Sequence, residues 1–362
     1  MAIPPIDRAN STLATLAGHV SGRIAEANAA APIGRLVRII GVSEIEARTP
    51  AATPQAPAGP QVQTRAQVVA AAAQEAVVKQ DGLAPLLADL AQAVASPNLP
   101  PAVRQAAARV LAQQAPLTAE ATAPDVAKAL SGSGLLLEAD LAANPAQSPV
   151  NSDLKAGLLL LRQALANAGP MPPRRNASGT RPPPPYRGGP TAGQKAVMPG
   201  LDRDSPDEVQ RRRLSEETES ALARLELLQI ASLPERDADP VSRWMFEAPI
   251  QTPFGAAVAQ FEVSRDGWGK GGDAEAGPTW RARFGLDVEP LGPVTAHLTL
   301  AGGQLGVAIW AARPEGADLL KARAAELIGA LTGPEVRAEV AVYQGVPPAA
   351  PASAGQLLDQ AV

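Results

Sequence analysis

Trp280-Arg-Ala-Arg-Phe284-Gly-Leu286-Asp-Val288-Glu-Pro290-Leu291-Gly292-Pro293-Val294-Thr-Ala296-His-Leu298-Thr-Leu300-Ala-Gly302-Gly303-Gln-Leu305-Gly-Val307-Ala-Ile309-Trp-Ala311 is the stretch whose alternation decides the fold. Trp280, Ala282, Phe284, Leu286 and Val288 share one parity, and Arg281, Arg283, Asp287 and Glu289 share the other. A strand turns successive side chains to opposite faces, so this pattern is a half-buried strand. After the Pro290–Pro293 turn the alternation resumes with Val294, Ala296, Leu298 and Leu300. It then continues past Gly302-Gly303 with Leu305, Val307 and Ile309. A Gly-Gly loop accepts the positive φ angles of tight hairpin turns. Placing Ala301 opposite Gln304 sets Leu300 opposite Leu305, Leu298 opposite Val307 and Ala296 opposite Ile309. A one-residue slip would destroy every one of these apolar pairs.

The same residues carry a resemblance. Leu286-x-Val288-Glu289-Pro290-Leu291-Gly292-Pro293-Val294-x-Ala296-x-Leu298-x-Leu300, followed by Gly302-Gly303-Gln304-Leu305-x-Val307 and a Leu-rich helix, resembles the C-terminal domain of flagellar hook-length control proteins. Here the proline stands directly before Leu291 rather than three residues before it. The resemblance covers roughly residues 240–345.

Composition locates the expected core. Hydrophobic residues make up 46% of the 362, but alanine supplies much of that fraction and buries little area. Of the ten aromatic residues, nine lie between Trp244 and Tyr343, which predicts one well-formed core near the C-terminal end. With 37 prolines and 31 glycines, much of the remainder reads as linker and disorder. The expected class is α+β: a small antiparallel-rich sheet with one packed helix, behind a loosely packed Ala-rich and Pro-rich arm. A net charge of −4 gives no global field for nucleic acid, and the absence of cysteine excludes disulfides and thiolate metal sites. The first residues lack the pattern of a cleaved secretory signal, and no run of about 18 apolar residues predicts a membrane span.

Along the chain, residues 1–63 read as a flexible N-terminal arm, which the resemblance implies is an export region. Within it Leu36-Val37-Arg38-Ile39-Ile40-Gly41-Val42 reads either as an isolated strand or as an adhesive segment of that arm. Residues 64–168 read as Ala-rich helices with thin packing. One ends near Asp81-Gly82, one spans Leu83 to Val94, one Pro101 to Gln114 and one Asp153 to Asn167. In the last, Leu154, Leu158, Leu161 and Leu165 share a face. Residues 169–204 read as a stiff polyproline linker, with a proline-recognition ligand as the sharper alternative. Residues 205–239 hold a helix opened by a Ser205-Pro206-Glu208 capping box, with a Glu208–Arg212 pair and three solvated arginines at 211–213. Residues 240–346 read as the C-terminal domain, with a mobile Gly-rich loop from Asp266-Gly267 to Pro278, a helix from Pro314 to Thr332 and a last strand through Val336, Ala338, Val340 and Val342. Residues 347–362 form a flexible tail.

Enzyme chemistry finds no footing in this pattern. His19 and His297 lie in separate regions, and His297 is expected beside Trp310 on the outer face of the hairpin. Ser131-Gly-Ser-Gly lacks the lysine of a phosphate loop. Asp287 and Glu289, expected together on a solvent face, need no acid–base role. No cofactor or metal is expected. The resemblance implies a protein held first in the cytoplasm and then exported through the flagellar type III apparatus. Its N-terminal part would gauge hook growth, and its C-terminal domain would switch export from hook to filament subunits. It further implies as partners the cytoplasmic domain of the export-gate protein and the hook and hook-cap proteins. The chain would act as a monomer, without nucleic acid. Leu291, Gly292, Pro293, Val294 and the off-face Leu319 are the partner-binding candidates. The competing expectation is a non-enzymatic adaptor that uses its proline-rich segment and its small domain.

Overall fold

The computed structural model describes residues 64–116, 123–143, 152–169, 181–234, 241–266 and 278–348. The N-terminal arm, residues 267–277 of the expected Gly-rich loop and most of the C-terminal tail therefore lie outside the described residues.

Helices come first: α1 Arg65–Lys79, α2 Leu83–Ala95, α3 Pro101–Leu111, α4 Ala123–Ser131, α5 Leu137–Ala143, α6 Leu154–Asn167 and the long α7 Asp207–Ser232. Local signals explain several of their starts. Thr64 and Gln67 make a reciprocal capping box at α1, Pro101 opens α3, and the Asp153 carboxylate accepts from the Ala156 amide at 2.8 Å to cap α6. A sheet of seven strands follows chain order: β1 Ala115–Pro116, β2 Ser242–Thr252, β3 Gly255–Arg265, β4 Trp280–Val288, β5 Gly292–Ala301, β6 Gln304–Ala311 and β7 Arg337–Gln344. Strands β2 to β6 are antiparallel neighbours, while β1–β2 and β6–β7 are parallel. The class is α+β, as expected. In the β5–β6 hairpin Leu300 faces Leu305, Leu298 faces Val307 and Ala296 faces Ile309, the register that the alternation predicts.

The β6–β7 crossover holds α8 Pro314–Ala322 and α9 Ala324–Leu331. A single helix was expected here, but the chain breaks at Arg323 (φ −105°, ψ 6°), and α9 then lies over β7. Both helices cover one sheet face, where Val294, Ala296, Leu305, Val307, Ile309 and Ala311 are buried beneath Leu320, Leu327 and Leu331. An aromatic row extends that face across the sheet: the Phe246 and Phe261 rings stack at 4.8 Å, and Phe284 follows at 5.7 Å.

The opposite face is where the structure departs from the expected thin packing. Leucines 83, 86, 87, 90, 154, 158, 161 and 165 are at most 1% exposed, and they share one core with Leu214, Leu225 and Leu228 of α7 and with Met245, Ala256 and Val258 of the sheet. Leucine stripes on several helices bury enough area to build this core without any ring, so the location of the aromatics was a poor guide.

Residues 181–204 are equally different from a free spacer. They form a strap across the second face, where β3 and β4 pair only over Gln260–Arg265 and Trp280–Gly285 and then part. Gln194 fills the opening by exchanging two 2.8 Å backbone hydrogen bonds with Val258. Gly193 passes so close that a Cβ there would lie 2.5 Å from the Asp287 nitrogen. Buried polar side chains hold the strap down. Arg224 of α7 pairs with Glu247 of β2 at 2.7 Å, and their side chains are 3% and 0% exposed. Arg224 also donates to Gln80 Oε1 at 2.8 Å and to the Pro183 carbonyl at 3.2 Å, while Gln194 donates to Glu247 at 3.2 Å. Beside them, buried Asp89 accepts from the Gly200 and Leu201 amides and from Arg213.

The start of α7 is shifted as well. Pro206, not Ser205, is the N-cap and no side chain caps the helix; the four-apart pair that forms is Asp207–Arg211 at 2.9 Å. Arg211 is buried and Arg213 binds Asp89 and Glu217, so the arginine run is only in part a solvated face.

Candidate functional site

The turn between β4 and β5 and the start of α8 make one corner. Gly292 has φ +70°, a region that favours glycine, and it opens β5 opposite Val288. The Pro293 carbonyl accepts from the Ala312 amide at 2.9 Å, which ties the turn to the end of β6. Glu289 and Arg313 close the corner with two parallel hydrogen bonds of 2.6 and 2.9 Å. This fork geometry fixes direction as well as distance. The hydrogen bond from Arg313 is the main reason that the Glu289 carboxyl lies below its ordinary pKa and that Arg313 lies above its own. Gly316, in the first turn of α8, is the close approach: a Cβ there would stand 2.5 Å from the Leu291 carbonyl oxygen.

The five candidate residues divide by accessibility. Val294 is buried in the core and Gly292 is buried in the turn, so both shape the corner rather than present a side chain. Leu291 is half-buried against the core, while Pro293 is exposed. Leu319 is 45% exposed and stands three residues after Gly316, on the same side of the helix. The structure thus brings Leu291 and Gly292 to the start of α8, and it leaves Leu319, one turn further along the helix, as an open apolar side chain. Sequence reasoning missed the Glu289–Arg313 clamp and Gly316. A glycine inside a short helix was the available signal, because it marks a close backbone approach.

The remaining polar candidates are structural. Asp287 lies half-buried beside the strap rather than on a solvent face. Burial raises its pKa, opposed by the charges of Arg313 and Lys195. His297 stands 4.7 Å from Trp310, as expected, and burial followed by the nearby Arg283 charge lowers its pKa. Among the described residues no His, Asp or Glu cluster could hold a metal ion, and no helix is long and apolar enough to cross a membrane.

The corner is thus a turn clamped to the start of a helix that leaves Pro293 and Leu319 exposed. Residues 269–350, under a quarter of the chain, match the family model described as flagellar hook-length control protein FliK. That segment contains the corner, the β5–β6 hairpin, α8, α9 and β7. Comparisons with curated proteins and with solved structures each found no match.

Proposed function

We propose that this protein controls the length of the flagellar hook, that it is exported by the flagellar type III apparatus, and that its C-terminal domain switches export from hook to filament subunits. The observation that carries the reading is coincidence: the segment matching the hook-length control family is also the segment that builds the corner. In this reading residues 240–346 are the switching domain, and the corner at Leu291, Gly292, Pro293 and Leu319 is its contact with the cytoplasmic domain of the export gate. Residues N-terminal to it gauge the hook and meet hook and hook-cap proteins, with the chain acting as a monomer. An exported chain must unfold to pass a narrow channel, so the leucine core of α2, α3, α6 and α7 has to come apart before passage. The adaptor reading is less well supported, because the Pro182 and Pro183 carbonyls already accept from Gln80 and Arg224.

Deleting the gene and measuring hooks by electron microscopy tests the proposal. Overlong hooks without filaments are expected. Hooks of normal length bearing filaments would overturn it.

A further inference from the structure

The outer edge of β7 is an unfinished layer. In the parallel β6–β7 ladder, the Arg337 amide donates to the Gly303 carbonyl and the Gly345 amide to the Ala311 carbonyl, each at 2.8 Å. Donors alternate along a strand, so the amides of Ala338, Val340, Val342 and Gln344 point away from β6. Among the described residues no strand receives them. The edge is eight residues long, has no proline or bulge, and carries charge only at Arg337 and Glu339. Its side chains are also undercovered. No residue of β7 is buried, and none of Leu327, Ile328 and Leu331 on α9 reaches full burial. One further strand with apolar residues on the α9 side would complete both layers.

We propose that residues 36–42 of this same chain supply that strand. Leu36-Val37-Arg38-Ile39-Ile40-Gly41-Val42 is rich in β-branched residues and lies outside the described residues. Its one charge fits the edge. Glu339 is exposed and makes no ion pair among the described residues. Arg38 set beside it in parallel register places Val37 next to Ala338 and Ile39 next to Val340, on the α9 face. Ile40 and Val42 then fall next to Ala341 and Tyr343 on the other face, and Tyr343, 49% exposed and stacked on Trp310, gains an apolar neighbour. Reach is sufficient. The 21 residues from Ser43 to Gln63 span up to roughly 70 Å at ~3.3–3.6 Å each, against a radius of gyration on the order of 19 Å for a folded unit of this size. Held this way, the N-terminal end and the C-terminal sheet are coupled.

Amide exchange in the full chain tests the proposal, with β7 carrying its own control. Glu339, Ala341 and Tyr343 donate to β6 and should be protected in every variant that folds. Ala338, Val340 and Val342 should be protected by at least about tenfold in the intact chain. They should lose that protection when residues 36–42 are replaced by a Gly-Ser run of equal length, or in the double variant V37D/I39D. A second readout is the pair Arg38→Cys and Glu339→Cys in this cysteine-free chain, expected to form an intramolecular disulfide under mild oxidation. Unprotected Ala338, Val340 and Val342 amides in the intact chain would overturn the inference. Protection that survives both replacements would also overturn it, because some other strand would then hold the edge. A disulfide that forms only between two copies would assign the edge to a second chain and overturn it too.

Discussion

Replacing Arg224 with methionine should loosen the whole molecule, although the residue lies far from the corner in sequence. The change removes the 2.7 Å contact with Glu247 and the hydrogen bonds to Gln80 and to the Pro183 carbonyl. Glu247, whose side chain is 0% exposed, keeps only the 3.2 Å hydrogen bond from Gln194. Breaking a buried pair from one side leaves an uncompensated charge and typically costs about 3–5 kcal/mol. Losing the strap contacts adds in the same direction, because the Gln80 and Pro183 oxygens each lose a donor. Replacing both partners, Arg224→Met with Glu247→Leu, removes the orphaned charge and should recover most of the loss. Urea unfolding followed by tryptophan fluorescence provides the assay, since Trp244, Trp280 and Trp310 all sit in the sheet. An Arg224→Met protein within about 0.5 kcal/mol of the parent would refute it, because that is the effect of an ordinary surface substitution. A double variant no better than the single would refute the charge argument alone.

Other outcomes follow from the same structure. Leu158→Ala, at a position 0% exposed in the helical core, should cost about 2–5 kcal/mol and lower the midpoint of the same urea transition as a change in the sheet. A separate, earlier transition would restore the loosely packed arm. Leu298→Asp, which puts a charge opposite Val307 in the hairpin, should abolish the cooperative melt of the sheet; an unchanged melting temperature would contradict the register. Gly316→Ala forces a Cβ against the Leu291 carbonyl and should cost about 1–3 kcal/mol in thermal melting, with no loss from Gly329→Ala, where a Cβ would meet open space. Glu217 has its pKa pushed up to about 9 by burial and by the Asp89 charge, which together outweigh its 3.2 Å contact with Arg213. A carboxyl with a raised folded-state pKa stabilises fully below its unfolded value of 4.5, and that contribution is lost as pH rises towards about 9. Stability should therefore fall across that window, and Glu217→Gln should flatten the fall when melts are run from pH 5 to pH 9.

What the sequence disclosed was local and periodic. The β5–β6 register was readable because one face of the hairpin is apolar throughout and Gly302-Gly303 marks the turn. The α6 face was readable because Leu154, Leu158, Leu161 and Leu165 repeat at helical spacing and are all buried. What the sequence concealed was long-range and polar. Residues 181–204 have linker composition, yet Gln80 and Ala84 bond to Pro182 and Gln194 across more than a hundred residues of chain and Arg224 bonds to Pro183 across 41, and no local pattern reports such bonds. Asp89, a buried charge in a largely apolar helix, is explained by its partners at Gly200, Leu201 and Arg213. The break at Arg323 has no glycine or proline to announce it; it is set by α9 lying over β7. At the corner the turn was found from its Leu-Gly-Pro-Val sequence, whereas its clamp depends on a residue 24 positions away.

The central claim is that an accessible surface on the corner carries the switch, separate from the stability of the fold. Leu319→Asp tests it most directly, because Leu319 is 45% exposed and its replacement should leave melting within about 0.5 kcal/mol of the parent. Cells carrying this variant should make overlong hooks without filaments while the purified protein melts normally. Hooks of normal length bearing filaments, from a variant present at parental levels, would contradict the account.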